Sequence, residues 1–237
     1  MRQPLQGKRA VVTGGTRGIG RAIVEGLLAE GAAVTLCGRT PESTAAAVEE
    51  LGHPQVYGKA ADVGRQPDVE ALFDFALERM GGIDILVANA GVGIFGATGD
   101  LSAEQWDETI GTNLTGVFLT SRAAIQRMRV AGGGFLVLLS SLAGRNAFAG
   151  GAAYNASKFA VTGMAEAIML DHRHDGIRVT TIMPGSVDTG FSPRSAGTGA
   201  EWKIAAADVA EMVIAVLSMP ERTLVSRVEM RPSRPPQ

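Results

Sequence analysis

Arg9-Ala10-Val11-Val12-Thr13-Gly14-Gly15-Thr16-Arg17-Gly18-Ile19-Gly20 is the stretch on which the fold turns. A short apolar run ends in a threonine and a cluster of glycines. Apolar residues then recur at helical spacing from Ile19 to Glu30, and Gly31 supplies a stop. Strand, glycine loop and helix in that order present backbone N–H groups and a helix N-terminus to a pyrophosphate. The spacing is Gly14-x-x-x-Gly18-x-Gly20, not the more familiar G-x-G-x-x-G. A glycine-rich turn without a ligand would read alike in isolation. Its place at the first strand-to-helix junction favours dinucleotide binding, with Thr16 and Ile19 inside the same loop.

The pattern repeats down the chain. Strands are predicted at Ala32–Cys37, Gln55–Ala60, Ile83–Ala88, Phe135–Leu139, Ile177–Met183 and Leu224–Met230. Helices are predicted between them, at Glu42–Leu51, Pro67–Met80, Ser102–Met128, the run from Ala152 to about Asp171, and Ala207–Leu217. The stripe Val69, Leu72, Phe73, Ala76, Leu77 and Met80 is core packing. Ser102 with Gln105 three residues later forms a capping box. Unbroken alternation implies an α/β fold of the Rossmann type: a doubly wound, seven-stranded, mainly parallel sheet with helices on both faces. The whole chain, 1–237, reads as one domain, with an irregular lid at about 186–206 carrying Phe191 and Trp202. Ligands of such sheets lie beyond the carboxyl ends of the strands, where the glycine loop, Arg39, Asp62 and Asn89 all fall.

About 20 residues beyond such a loop, an acidic residue usually marks a preference for NAD. Here Gly38 and then Arg39 stand there, and Arg17 is a second cation inside the loop. A guanidinium pairs with a 2′-phosphate that a carboxylate would repel, so the expected cofactor is NADP(H). Two solvated arginines are the plainer alternative.

In Ala152-Ala153-Tyr154-Asn155-Ala156-Ser157-Lys158, the phenol and the ammonium lie four apart, on one helical face. A neighbouring cation favours phenolate, so Lys158 is expected to lower the Tyr154 pKa. A tyrosine so placed can protonate a carbonyl oxygen or deprotonate an alcohol. Tyr-x-x-x-Lys is common by chance, and the spacing alone does not make a site.

Composition excludes several classes. Of 237 residues, 46% are apolar and 19% charged, the net charge is −2 and the cations are dispersed, which leaves no nucleic-acid footprint. No apolar run approaches the ~20 residues that span a bilayer. The N-terminus lacks a secretory signal. Cys37 is the sole cysteine, and His53, His172 and His174 show no metal-ligand spacing. These features point to a cytoplasmic protein without a bound metal.

Thr13-Gly14-x-x-x-Gly18-Ile19-Gly20, Asn89-Ala90-Gly91, Ser141 and Tyr154-x-x-x-Lys158, in this order, make the chain resemble the short-chain dehydrogenase/reductases from first strand to last. The resemblance implies Tyr154 as general acid/base, and Lys158 as the group that lowers its pKa and holds the nicotinamide ribose. It implies Ser141 on the substrate oxygen and Asn113 keeping a water in a proton relay. Ser140 competes for the serine role, but Ser141 has the family's thirteen-residue interval to the tyrosine. Asp62 and Val63 would meet the adenine, and Asn89, Ala90 and Gly91 would line the cleft. Pro184, Gly185, Val187 and Thr189 would frame nicotinamide and phosphates. The segment after Thr189 is short for the family, which implies an open pocket. Ala88 stands where many members carry a second asparagine.

The reaction implied is carbonyl reduction or its reverse on a small molecule. The candidate pocket wall is Gly93, Ile94, Phe95, Leu142, Ala143, Phe148, Phe191 and Trp202, mostly apolar. The likeness extends to β-ketoacyl-carrier-protein reductases, for which Arg122, Arg127 and Arg129 could receive an acidic carrier or simply form a solvated face. Relatives form homodimers or homotetramers through the helices near 102–128 and 152–172. The rival from another class is a non-catalytic NADP-binding sensor or scaffold, against which the four occupied catalytic positions argue. A nucleotide-free dehalogenase would leave the glycine loop without a phosphate to approach.

Overall fold

The structure is a computed structural model and describes residues 5–189, 191 and 200–235. Strands β1 (Arg9–Thr13), β2 (Ala33–Cys37), β3 (Val56–Gly58), β4 (Ile85–Ala88), β5 (Gly134–Leu139) and β6 (Ile177–Pro184) join β9 (Arg227–Met230) in one sheet. Its order is β3-β2-β1-β4-β5-β6-β9, and every neighbouring pair is parallel. The strands are apolar on both faces because helices cover both. Side chains alternate between the faces. Val12, Leu36, Val87 and Val137 pack on helices α1 (Gly18–Ala29) and α7 (Ala206–Leu217) through Ile23, Leu27, Val209 and Val213. Val11, Leu86, Leu136 and Leu138 face α3 (Gln66–Met80), α5 (Gly116–Ala131) and α6 (Ala152–His172) through Leu72, Phe73, Met128 and Val161. After β3 the chain crosses to the other side of β1 to make β4, so the strand order reverses there and a crevice opens at the carboxyl ends.

Local chemistry sets the start of two helices. Helix α2 (Pro41–Leu51) starts on Thr40, whose hydroxyl accepts from the Ser43 N–H at 3.2 Å, with proline in its first turn. Helix α4 (Ala103–Ile110) has the expected box: Ser102 Oγ accepts from Gln105 N at 3.3 Å, and Gln105 Oε1 accepts from Ser102 N at 3.0 Å.

Three expectations need correction. The single helix over 102–128 is two, α4 and α5, joined by a π-helical turn at Gly111–Thr115. Within that turn Asn113 is buried and bonds the backbone of Val92 through both its Oδ1 and its Nδ2. The last strand begins at Arg227, not Leu224, because Thr180 Oγ1 donates to Val225 O at 2.7 Å and draws the preceding segment out of the ladder. The segment 186–206 is not irregular at its ends: β7 (Val187–Asp188) pairs in parallel with β8 (Ile204–Ala205). Gly190 and 192–199, the middle of the expected lid, lie outside the described residues.

Candidate active site

The crevice is lined by three groups of residues. From the glycine loop come Gly14, Thr16, Arg17, Gly18 and Ile19. From the ends of β2 to β4 come Arg39, Asp62, Val63, Asn89, Ala90 and Gly91. Across from them stand Ser141, Tyr154, Lys158, Pro184, Gly185, Val187 and Thr189. Of the predicted cofactor residues, Gly20 alone is absent from the lining. It is buried beneath the loop, where a Cβ would collide with the Gly14 carbonyl. Gly14 has φ +65°, and a Cβ there would stand 2.9 Å from Ala90 Cα.

Two side chains fasten this loop to β4. Thr13 Oγ1 accepts from the backbone N–H groups of Asn89 and Ala90, at 3.0 and 3.1 Å. Asn89 Nδ2 donates to the carbonyls of Thr13 and Gly14, at 3.0 and 3.1 Å. Asn89 therefore acts through the loop it holds. Thr13 was not singled out in the sequence for a role of its own; its signal is a hydroxyl closing an otherwise apolar strand. Arg17 and Arg39 are both exposed at the crevice rim, and Arg39 makes a loose 3.3 Å contact with Glu108. Asp62 Oδ1 accepts from Gly64 N at 2.9 Å.

Tyr154 and Lys158 face the crevice from the first turns of α6. Ser141 stands beside the Tyr154 phenol on the crevice wall; its hydroxyl accepts from Ala143 N at 3.1 Å and donates to Pro184 O at 3.4 Å. Ser140 turns the other way: its hydroxyl donates to Lys158 O at 3.1 Å and meets Thr162 Oγ1 at 2.9 Å. Geometry thus separates the two serines, and Ser141 is the one beside the phenol. Lys158 is 5% exposed, and its ammonium donates to Leu139 O at 2.8 Å while lying 5.7 Å from the Tyr154 ring centre.

Burial works against the lowering expected at Tyr154. Burial pushes the Tyr154 phenol above its usual pKa, and the Ser141 hydroxyl opposes this only in part. Burial also pulls Lys158 down to about 8. The lysine charge was expected to govern the tyrosine; burial is instead the largest influence on the phenol.

Asn113 is fully buried and outside the lining, which at this point holds Thr112. Its Oδ1 accepts from Val92 N at 2.8 Å, and Nδ2 donates to Val92 O at 2.9 Å and to Ser157 Oγ at 3.2 Å. Ser157 Oγ donates in turn to the Tyr154 carbonyl at 2.7 Å. The π turn, the segment that follows β4 and the start of α6 are joined in one network. Ser157 escaped the sequence reading, since nothing local distinguishes it from any small helical residue.

Of the candidate pocket wall, Phe191 lines the crevice, and Phe95 and Phe148 reach Tyr154 by ring contact. Trp202 lies outside the lining: it ends the single turn Ala200–Trp202, and its ring faces the Lys203 ammonium at 6.0 Å. Two of the three arginines considered for an acidic carrier are engaged within the chain. Arg127 pairs with Asp74 at 2.6 Å and lies over Phe73, and Arg129 pairs with Asp175 at 3.2 Å. Among the described residues, no helix is long and apolar enough to cross a membrane.

Comparison with known proteins agrees with this geometry. Residues 8–197 match the short chain dehydrogenase family. Dehydrogenase/reductase SDR family member 4 of Oryctolagus cuniculus is 38% identical over 194 residues, covering 81% of this chain and 75% of the relative. An uncharacterized oxidoreductase of Staphylococcus aureus is 32% identical over 228 residues, 96% of this chain and 98% of its own. Among solved structures, an alcohol dehydrogenase from the archaeon Thermococcus sibiricus, complexed with 5-hydroxy-NADP, superposes with a TM-score of 0.87. It is 30% identical and covers 97% of this chain and 99% of its own. A metagenomic short-chain oxidoreductase in complex with NADP gives a TM-score of 0.84 at 34% identity, covering 98% of this chain and all of its own. With the glycine loop, the serine and the tyrosine–lysine pair meeting at one crevice, and the family match spanning most of its length, the chain belongs to the short-chain dehydrogenases.

Proposed function

We propose that this protein is an NADP(H)-dependent oxidoreductase that reduces a ketone or aldehyde to an alcohol, or runs the reverse reaction. The observation that carries the reading is the Ser141–Tyr154 hydroxyl pair at the mouth of a crevice whose other end is a glycine loop.

The crevice fits a dinucleotide. Helix α1 has no side-chain cap and no acidic residue in its first turn, whereas α2 and α4 have both, so its N-terminal N–H groups are left for a pyrophosphate. Gly14, Thr16, Gly18 and Ile19 would cradle that pyrophosphate over the loop that Thr13 and Asn89 hold rigid. Asp62 and Val63 would meet the adenine. Arg17 and Arg39 would take the 2′-phosphate, because an exposed pair such as Arg39–Glu108 contributes at most about 1 kcal/mol and yields readily to a dianion. Both NADP-bound structural neighbours support this choice. Ala90, Gly91, Pro184, Gly185, Val187 and Thr189 would enclose the nicotinamide, and Lys158 would reach its ribose. The cofactor supplies or receives the hydride.

The protein's own groups manage the oxygen. Ser141 donates a hydrogen bond to the substrate carbonyl, and Tyr154 gives its proton as negative charge develops there. A phenol held above its ordinary pKa is protonated at neutral pH, the state needed for reduction. The Asn113–Ser157 network fixes the backbone from which Tyr154 projects, and we assign Asn113 the place of the relay residue through this π turn. The exposed Phe118, Phe159 and Leu170 on α5 and α6 support assembly as a homodimer or homotetramer through those helices. Light scattering tests it: a monomer would contradict the assignment.

The decisive experiment follows NADPH oxidation at 340 nm against a panel of ketones and aldehydes. Tyr154→Phe should remove nearly all turnover and leave NADPH binding close to intact. Retained turnover would sink the acid assignment, and better use of NADH would overturn the cofactor.

A further inference from the structure

We infer that Ser140 and Thr162 are positioning residues for Lys158: their two hydroxyls clasp its backbone carbonyl and so set where its ammonium stands in the crevice. This rests on the reading of Lys158 as the group that meets the nicotinamide ribose.

Consecutive residues at one strand end hold the lysine at both of its ends. Leu139, the last residue of β5, accepts from Lys158 Nζ through its carbonyl at 2.8 Å. Ser140, the next residue, donates from Oγ to Lys158 O at 3.1 Å across 18 positions. Thr162 Oγ1 donates to the same carbonyl at 2.9 Å, from one turn further along α6. The two hydroxyl oxygens are themselves 2.9 Å apart. Each hydroxyl has one proton, so no more than two of these three contacts are hydrogen bonds at a time, and at least one of those runs to the carbonyl. A helical threonine that bonds its own i−4 carbonyl is ordinary. A second hydroxyl brought to that carbonyl from the sheet is nothing the helix itself requires.

The surroundings are shaped to the clasp. Ser140 N donates to Ile182 O at 2.9 Å, so β6 fixes the serine from its other side. Gly144 lies against all three oxygens: a Cβ there would stand 2.7 Å from Lys158 O, Ser140 Oγ and Thr162 Oγ1. Only a residue without a side chain can close the turn Leu142–Gly144 over the carbonyl. Ser140 is 4% and Lys158 5% exposed, so water has little access to replace a lost hydroxyl.

The carbonyl matters because the lysine stem hangs from the Cα beside it. Leu139 O takes one ammonium proton, which leaves two for the crevice that Lys158 lines. Without the clasp this turn of α6 is free to shift against β5, and a displacement of about 1 Å at a reacting group can cost about 10²-fold in rate. Either hydroxyl alone still gives the carbonyl a donor, so the full effect needs both to be lost.

The test removes the hydroxyls singly and together. Ser140→Ala and Thr162→Val should each lower kcat/KM with NADPH about two- to threefold, and the double variant about thirtyfold or more, beyond the product of the singles. Ser140→Ala combined with Thr162→Ser, which keeps the second hydroxyl, should match Ser140→Ala alone. Lysine ε-13C NMR then reads the ammonium in the full chain with no substrate present. The chain has Lys8, Lys59, Lys158 and Lys203, and Lys158→Arg identifies the resonance. Burial holds Lys158 at about 8; an ammonium freed from the strand end reaches water, so in the double variant it should titrate distinctly higher, towards the ordinary lysine value. The titratable groups that share the crevice, Tyr154 on α6, Cys37 at the end of β2, Asp62 after β3 and Arg17 and Arg39 at the rim, are unchanged in these variants. A Lys158 titration unmoved in the double variant, or a double variant that loses no more than the product of the singles, would overturn the inference. A displaced titration in a protein whose wild type reduces no carbonyl compound would uphold the clasp and refute the proposed reaction.

Discussion

Asn113→Ala should cost this protein more stability than most single changes at a buried polar residue, because of what it leaves behind. The side chain makes three hydrogen bonds, two to the backbone of Val92 and one to Ser157. Truncation orphans the N–H and C=O of Val92, while Ser157 keeps its 2.7 Å bond to Tyr154 O. Each orphaned backbone group costs about 1–3 kcal/mol when water is excluded. Val92 is only half-buried, so water restores part of this, and the expected loss is about 2–4 kcal/mol. In a chain of this size that lowers Tm by about 5–15 °C. Urea unfolding should show a lower midpoint at unchanged slope. The same change frees the π turn to relax and lets the Tyr154 backbone shift, so turnover should fall about tenfold or more. A cycle with Ser157→Ala should return a coupling of about 1 kcal/mol for the shared bond. A stability loss under about 1 kcal/mol would show that the network is not what holds the segment after β4, the turn and α6 together, and would refute the reasoning.

Gly20→Ala should abolish measurable NADPH binding, because the added methyl runs into the Gly14 carbonyl and Asn89 Nδ2 and forces the loop open; fluorescence titration giving a near-wild-type Kd would contradict this. Arg39→Asp should shift the NADPH/NADH ratio of kcat/KM by about tenfold or more towards NADH, as a guanidinium that pairs with phosphate becomes a carboxylate that repels it; an unchanged ratio would leave Arg17 as the discriminating cation. For reduction, kcat/KM should be level near neutrality and fall as pH rises through about 8, where Lys158 loses its charge. The sign follows from burial having lowered that pKa, and a profile still rising at pH 9 would be incompatible with it. Cys37 should resist iodoacetamide in the native protein, since burial raises its thiol to about 11 and leaves 1% exposure; rapid labelling without unfolding would argue against that packing.

Alternation of apolar runs, the glycine loop, the Ser102–Gln105 box and the i, i+4 placement of Tyr154 and Lys158 were all legible in the sequence. Each depends on residues within about one helical turn or one strand of each other, and local rules reach that far. Tertiary structure decided what depends on neighbours distant in the chain. Asn113 reaches Val92 across 21 positions and gives a π turn where periodicity shows one helix. Thr13 and Asn89, 76 apart, clasp the loop. Ser140 and Ser141 are equivalent as letters, and strand pleating sends one to α6 and the other to the phenol. The pKa of Tyr154 is the clearest case. Spacing supplies the neighbouring cation, but only the packed wall supplies the burial that raises the phenol and lowers the ammonium.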